Sequence, residues 1–280
     1  MFAIFYALVY GLFGLVIGSF LNVVIIRRGA RTLGGRSGCL SCGARLAWYD
    51  LIPVLSWLAL RGRCRTCNAS ISLQYPLVEA STAMLFALIG LSPLPIAMQA
   101  VSLAIIAFLV LITVYDLRHT IIPDEWSYSF ALLAFAAGLP FALQQGLESG
   151  LVPLLIAGPL CALPLFALWL VSRGRWMGLG DAKLSLGIGF LLGIGPGLLA
   201  IFFAFLIGAF VSVFVLLPYS YLRYLLLQMQ GSKRITRFRL TTKGFTMRSE
   251  VPFGPFLVLG TLVVWLCSIY RLPLPLLDII

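Results

Sequence analysis

Acidic residues are scarce in this chain: nine among 280, against 20 lysines and arginines. Histidine occurs once, at His119, so the chain lacks the residues for a multi-histidine metal site, and a general-base role would require a positioned partner. There is no G-x-S-x-G and no H-E-x-x-H, which removes the signatures of serine hydrolases and zincins. A glycine-rich strand-to-helix turn of the dinucleotide-binding type is also missing. Charged residues make up only 10% of the chain, whereas hydrophobic residues make up 61% and the mean hydropathy is +1.05. One soluble core of this size has no room for that much apolar surface, and several runs reach the roughly 20 residues that cross a bilayer as a helix. The chain therefore reads as a membrane protein.

The apolar pattern predicts an all-α polytopic membrane protein of about eight transmembrane helices, at roughly 3–25, 77–93, 96–115, 126–145, 151–171, 184–195, 197–226 and 253–270. The first run carries no basic residue ahead of it and reads as a retained helix rather than a cleaved signal. The glycine-rich GIGPG after the sixth run is expected to break or tilt it. The net charge of +11 is unevenly distributed. Arg27, Arg28, Arg31, Arg36, Arg45, Arg61, Arg63 and Arg65 fall in the first loop. Arg118, Arg173, Arg175, Lys183, Arg223 and the cluster from Lys233 to Arg248 fall in alternate connections after it, leaving only Arg271 on the other side. The positive-inside rule makes the populated side cytoplasmic and puts both termini outside. Nucleic acid is not implied, because no soluble module concentrates the charge with aromatic residues. Anionic lipid headgroups are the expected partners of the basic surface. Two segments interrupt the membrane pattern: residues 27–76, rich in Arg, Gly and Cys, and residues 228–252, whose partial alternation allows a small hairpin. Residues 1–76 are accordingly read as a first helix plus cytoplasmic loop, and residues 77–280 as the membrane core.

Four of the six cysteines lie in that first loop as two C-x-x-C pairs, Cys39 with Cys42 and Cys64 with Cys67, separated by 21 residues. This spacing is close to that of a zinc ribbon. Four thiolates complete a tetrahedral shell, which makes the expected zinc structural, with no open position for an activated water. Disulfides are the alternative, but the cytoplasm is reducing. Cys161 and Cys267 fall within apolar runs and read as packing residues.

With so few acids, their placement is informative. Asp116 closes the third span, Asp124 and Glu125 open the fourth, and Asp181 stands at the mouth of the sixth, all on the cytoplasmic side. A carboxylate at the lip of an apolar bundle is costly, so these residues are functional candidates. Asp124, after Pro123, reads first as a helix N-cap. Asp181 follows Gly178 and Gly180, which permit close backbone approach and unusual dihedrals. Asp116 sits at a helix C-terminus, where the dipole disfavours a negative charge. Two carboxyls brought together share one proton: the ionised one activates water while the neutral one polarises a carbonyl. That is aspartic-protease chemistry.

The segment from Asp116 to Asp124, DLRHTIIPD, resembles the D-x6-PD element of the bacterial type IV prepilin peptidases, and Gly178 to Leu184, GLGDAKL, resembles their G-x-G-D-x-K-L element. Further matches are GSFLNVV from Gly18, IPVLSW from Ile52, LRGRC from Leu60, YPLVE from Tyr75 and PFGP from Pro252. The resemblance implies a membrane aspartyl protease with Asp116 and Asp181 as the catalytic pair and Asp124, Gly178, Gly180 and Lys183 in support. It implies prepilins or pseudopilins of type IV pilus or type II secretion systems as substrates, cut between a short basic leader and an apolar helix. It also implies a second activity, N-methylation of the new N-terminus from S-adenosylmethionine, for which Asn22 and Glu79 are the candidate donor-binding residues. The chain departs from the family pattern at Leu40, where proline is common, and at Arg28-Gly29. Two other classes remain open on the residues alone. A zinc-ribbon docking scaffold leaves the aspartates without a use, and a cation relay would place its acids nearer the bilayer midplane.

Overall fold

The computed structural model describes residues 2–28, 34–216, 218 and 252–273. Every named element among them is helical: α1 (Phe2–Arg27), α2 (Leu55–Ala59), α3 (Gln74–Leu91), α4 (Ile96–His119), α5 (Asp124–Gln145), α6 (Val152–Ser172), α7 (Leu179–Leu192), α8 (Ile194–Val211) and α9 (Gly254–Ile269). Strand structure among the described residues is limited to two isolated bridges in the first loop. A helix satisfies its own backbone, which is the condition for crossing lipid. Among the described residues, six helical stretches are long and apolar enough to do so: Phe2–Arg27, Gln74–Leu91, Ile96–His119, Asp124–Gln145, Leu147–Ser172 and Ile194–Val215. The sixth and eighth expected spans are helices of 14 and 16 residues, α7 and α9. The hairpin expected at 228–252 and the basic cluster from Arg223 to Arg248 lie outside the described residues.

α7 begins earlier than the hydropathy pattern suggests, at Leu179 rather than 184, so its first turn is built from the polar GLGDAK segment. It stops at Leu192 because Gly193 adopts φ +83°, and α8 starts at the next residue. The break expected in GIGPG is therefore a one-residue hinge.

The chain divides into two compact units. The first holds residues 1–115 with 269–272, the second residues 116–268 with 273–280. In the first unit α1 packs on α3 through small residues. A Cβ at Gly14 would lie 2.7 Å from the Ala83 Cα, and one at Gly18 would lie 2.7 Å from the Glu79 Cα. The G-x-x-x-G spacing of Gly14 and Gly18 thus lets two helix backbones approach closely, the packing device of helices in lipid. In the second unit α7 is enclosed by α5 and α6, with Phe130 and Phe190 filling the space over Gly187 and Gly158. Leu184 and Ile188 of α7 have no exposed surface, so α7 is fixed despite its shortness.

Candidate active site and candidate metal centre

The four loop cysteines do converge. Their sulfurs all lie within 4.8 Å of one another, and Cys39 Sγ stands 3.8 Å from Cys67 Sγ. Sulfurs each about 2.3 Å from one tetrahedral zinc would be about 3.8 Å apart, so the donor set fits the ion. The two halves are local copies. The N–H of Gly43 donates to the Cys39 carbonyl and that of Asn68 to the Cys64 carbonyl. Gly38 bridges Arg45 as Arg63 bridges Ser70. The fifth position of each copy is left-handed, Gly43 at φ +71° and Asn68 at φ +57°, the residue types that tolerate it best. Backbone N–H groups aim at the sulfurs: those of Cys42 and Ser41 bring the Cys39 thiol down to about 6, and those of Cys67 and Thr66 lower Cys64. Cys67 receives the Ala69 N–H, but its neighbouring thiols and burial outweigh that donor and push it up to about 11. Without a cation, four thiols in one volume cannot all ionise. Arg65 Nε and Nη2 donate to Asp50 Oδ1 at 3.0 and 2.8 Å, tying the second knuckle to the turn at Trp48–Leu51.

In the second unit, Asp116 and Asp181 are both buried, at 4% and 7% exposure, and Ile122 lies between the glycines next to them, Gly254 and Gly180. Asp116 lies in the last turn of α4. The helix ends there because Thr120 turns left-handed, φ +53°, and Ile122 precedes a proline, which favours extended backbone. Ile122 folds back into the interior at 7% exposure. The Asp116 carboxyl accepts the Gly254 N–H on Oδ2 at 3.0 Å. Gly254 is the first residue of α9, so the unfavourable end of one helix is offset by the favourable end of another. Asp181 is the third residue of α7, and a Cβ at Gly178, the N-cap, would lie 3.6 Å from its Oδ2.

Three expectations need correction. Asp124 is not the N-cap: Pro123 occupies that position and makes no side-chain cap bond. Asp124 instead is the first helical residue, and Lys183 Nζ donates to its Oδ1 and Oδ2 at 2.7 and 2.8 Å, joining α5 to α7. Gly178 and Gly180 have no unusual dihedrals, since Gly178 is extended at φ −75° and neither has positive φ. What Gly180 supplies is proximity, as a Cβ there would lie 2.9 Å from the Ile122 Cβ. Finally, Asn22 and Glu79 do not stand open to a ligand. Asn22 Nδ2 donates to the Gly18 and Tyr75 carbonyls, its Oδ1 accepts from Gln74, and Glu79 accepts the Val54 N–H at 2.7 Å. Val54 is held at φ +61°, a strained position for a β-branched residue. As placed, these two polar side chains join the loop and α3 to α1.

The sequence reading did not single out two residues, Gly254 and Ile122. PFGP and D-x6-PD contain them, but nothing in either segment says that they meet. His119 is exposed and is the last residue of α4.

Fold and site together define a polytopic helical membrane protein with a tetra-cysteine loop and a buried aspartate pair. The comparisons agree. Residues 12–92 match the family model described as "Bacterial Peptidase A24 N-terminal domain", and residues 103–213 match "Type IV leader peptidase family". A Myxococcus xanthus protein named "Prepilin leader peptidase/N-methyltransferase" is 36% identical over 210 residues, covering 73% of this chain and 61% of its own length. Proteins of the same name from Aeromonas hydrophila and Bacillus subtilis are 30% and 29% identical. They cover 96% and 91% of this chain and 93% and 92% of their own lengths. No solved structure matches. The chain belongs to the type IV leader peptidase family.

Proposed function

We propose that this protein cuts the basic leader from type IV prepilins or pseudopilins with Asp116 and Asp181, then methylates the new N-terminus from S-adenosylmethionine. The observation that carries the reading is the pair of buried carboxyls, one of them held by the Gly254 N–H, in a chain of this family. Two such carboxyls hold one proton between them, because the second charge is opposed by the first and by burial. The ionised partner takes a proton from a water as it attacks the scissile carbonyl. The protonated partner donates to the carbonyl oxygen, and the tetrahedral intermediate collapses as the leaving amine is protonated. Lys183 and Asp124, clamped together, support the reading by holding the start of α5 against α7 next to Asp181. The aliphatic stem of a substrate's membrane helix suits an apolar bundle, and its leader would meet the aspartates at the lip.

We assign residues 1–76 to the structural zinc loop with its anchoring helix and 77–280 to the peptidase core. Zinc would be held by Cys39, Cys42, Cys64 and Cys67, supplying a fold rather than a Lewis acid. Methyl transfer is assigned from the relatives' shared name, and no step is routed through Asn22 or Glu79. Incubating the purified protein with a prepilin should shorten it by its leader, read by mass spectrometry. Labelled S-adenosylmethionine should then label only the shortened product. An unshortened prepilin would remove the peptidase reading.

The charge bias supports eight spans, counting α7 and α9, with both termini periplasmic and the aspartates at the cytoplasmic face. Reporter fusions at Gly35 and Ser149 are expected to report opposite sides of the membrane. The same side for both would overturn this topology.

A further inference from the structure

We infer that the backbone N–H of Gly254 is a positioning group for Asp116, so that the reaction depends on a donor no side-chain substitution can delete. The inference rests on the two-aspartate reading. Asp116 is buried in the last turn of α4, among carbonyls that oppose its charge, and a buried carboxylate without a donor is strongly disfavoured. Gly254 N–H meets Oδ2 at 3.0 Å. As the first residue of α9 it has no intrahelical acceptor, so the N–H is free for this use. The next residue is Pro255, which has no N–H, so of the first two positions of α9 only Gly254 offers one. With Oδ2 oriented in this way, Oδ1 is left for the water or the shared proton.

The absence of a side chain at 254 is equally specific. A Cβ there would lie 2.6 Å from Asp116 Oδ2, 3.2 Å from its Cγ and 3.0 Å from Ile122 Cδ1. Ile122 in turn lies against Gly180, one residue before Asp181. A single isoleucine therefore spaces the first turn of α9 from the first turn of α7, with glycine at both contacts. The other glycine of α9, Gly260, faces only packing atoms: a Cβ there would meet the Ala200 carbonyl oxygen. The contact at Gly254 is with a titratable group, which separates it from ordinary helix packing.

The test replaces Gly254 by glycolic acid during cell-free synthesis of the full chain into nanodiscs. The ester oxygen removes the N–H and adds no side chain. Prepilin cleavage should lose about 10- to 100-fold in kcat, the loss expected for one hydrogen bond to a charged group, with KM within about threefold. Zinc content and methylation of a precleaved pilin should be unchanged, and Gly254→Ala should lose at least as much cleavage. Wild-type kcat in the ester variant would overturn the inference, as would loss of cleavage and methylation together, which would mean misfolding. Asp116→Asn runs alongside. If it is inactive while the ester variant keeps full kcat, only this inference fails; if it cleaves normally, the two-aspartate reading fails.

Discussion

Asp116→Asn and Asp181→Asn should each abolish prepilin cleavage, by on the order of ten-thousand-fold or more, and combining them should cost little beyond either alone. Residues acting through one shared proton are not additive: removing either removes the mechanism. The asparagines are nearly isosteric with the aspartates they replace. Asp116→Asn keeps an oxygen that can accept from Gly254, and Asp181→Asn keeps the size and shape of the buried side chain, so the local packing should persist. Metal content and membrane insertion should therefore match the wild type, and a precleaved pilin should still be methylated. Asp124→Asn is a graded control. It exchanges an ion pair for a neutral acceptor of the Lys183 ammonium, and Asp124 is largely exposed, so the lost attraction is worth at most about 1 kcal/mol and cleavage should fall no more than a few-fold. Substantial cleavage by either of the Asp116 or Asp181 variants would sink the aspartyl assignment. Normal cleavage with lost methylation would mean that the two activities had been assigned to the wrong residues.

Replacing Cys39 and Cys64 together with serine should lose one zinc per chain and leave residues 34–73 open to protease, while α1 and α3 remain inserted. The loop's regular structure amounts to a five-residue helix, a short 3-10 turn and two isolated bridges, so little apolar burial is available to hold it. A structural zinc commonly contributes about 10 kcal/mol or more to the folding of so small a module. Hydroxyls bind zinc far less well than thiolates, so the two remaining cysteines should not retain it. Elemental analysis and limited proteolysis of the purified protein test this. A metal-free wild-type protein with an ordered, protease-resistant loop would show that the four cysteines have another use. In the expected case, residual cleavage by the serine variant measures how far the peptidase depends on the loop.

The membrane character of the chain was determined by sequence alone, because an apolar run of sufficient length has no other stable solution. The helical positions of eight of the nine elements, all but α2, follow from it, apart from their ends. The pairing of the cysteines was legible as well, since ligand number, spacing and thiol chemistry constrain one another locally, and the sulfur separations agree with that reading. The aspartates were legible as candidates because acids are rare here and stand at helix ends. What held them in place was not. Asp124 looked like a cap because capping residues and ion-pair partners are the same residue types, and only the position of Lys183, 59 residues away, decides between them. Asn22 and Glu79 looked available because a sequence does not display which carbonyl or N–H a polar side chain has already met. Gly254 lies 138 residues from Asp116, and neither residue carries any mark of the other. Period, composition and spacing encode what a segment does within a few turns; the donor that a buried carboxylate finds is set by which helix ends the tertiary packing brings together.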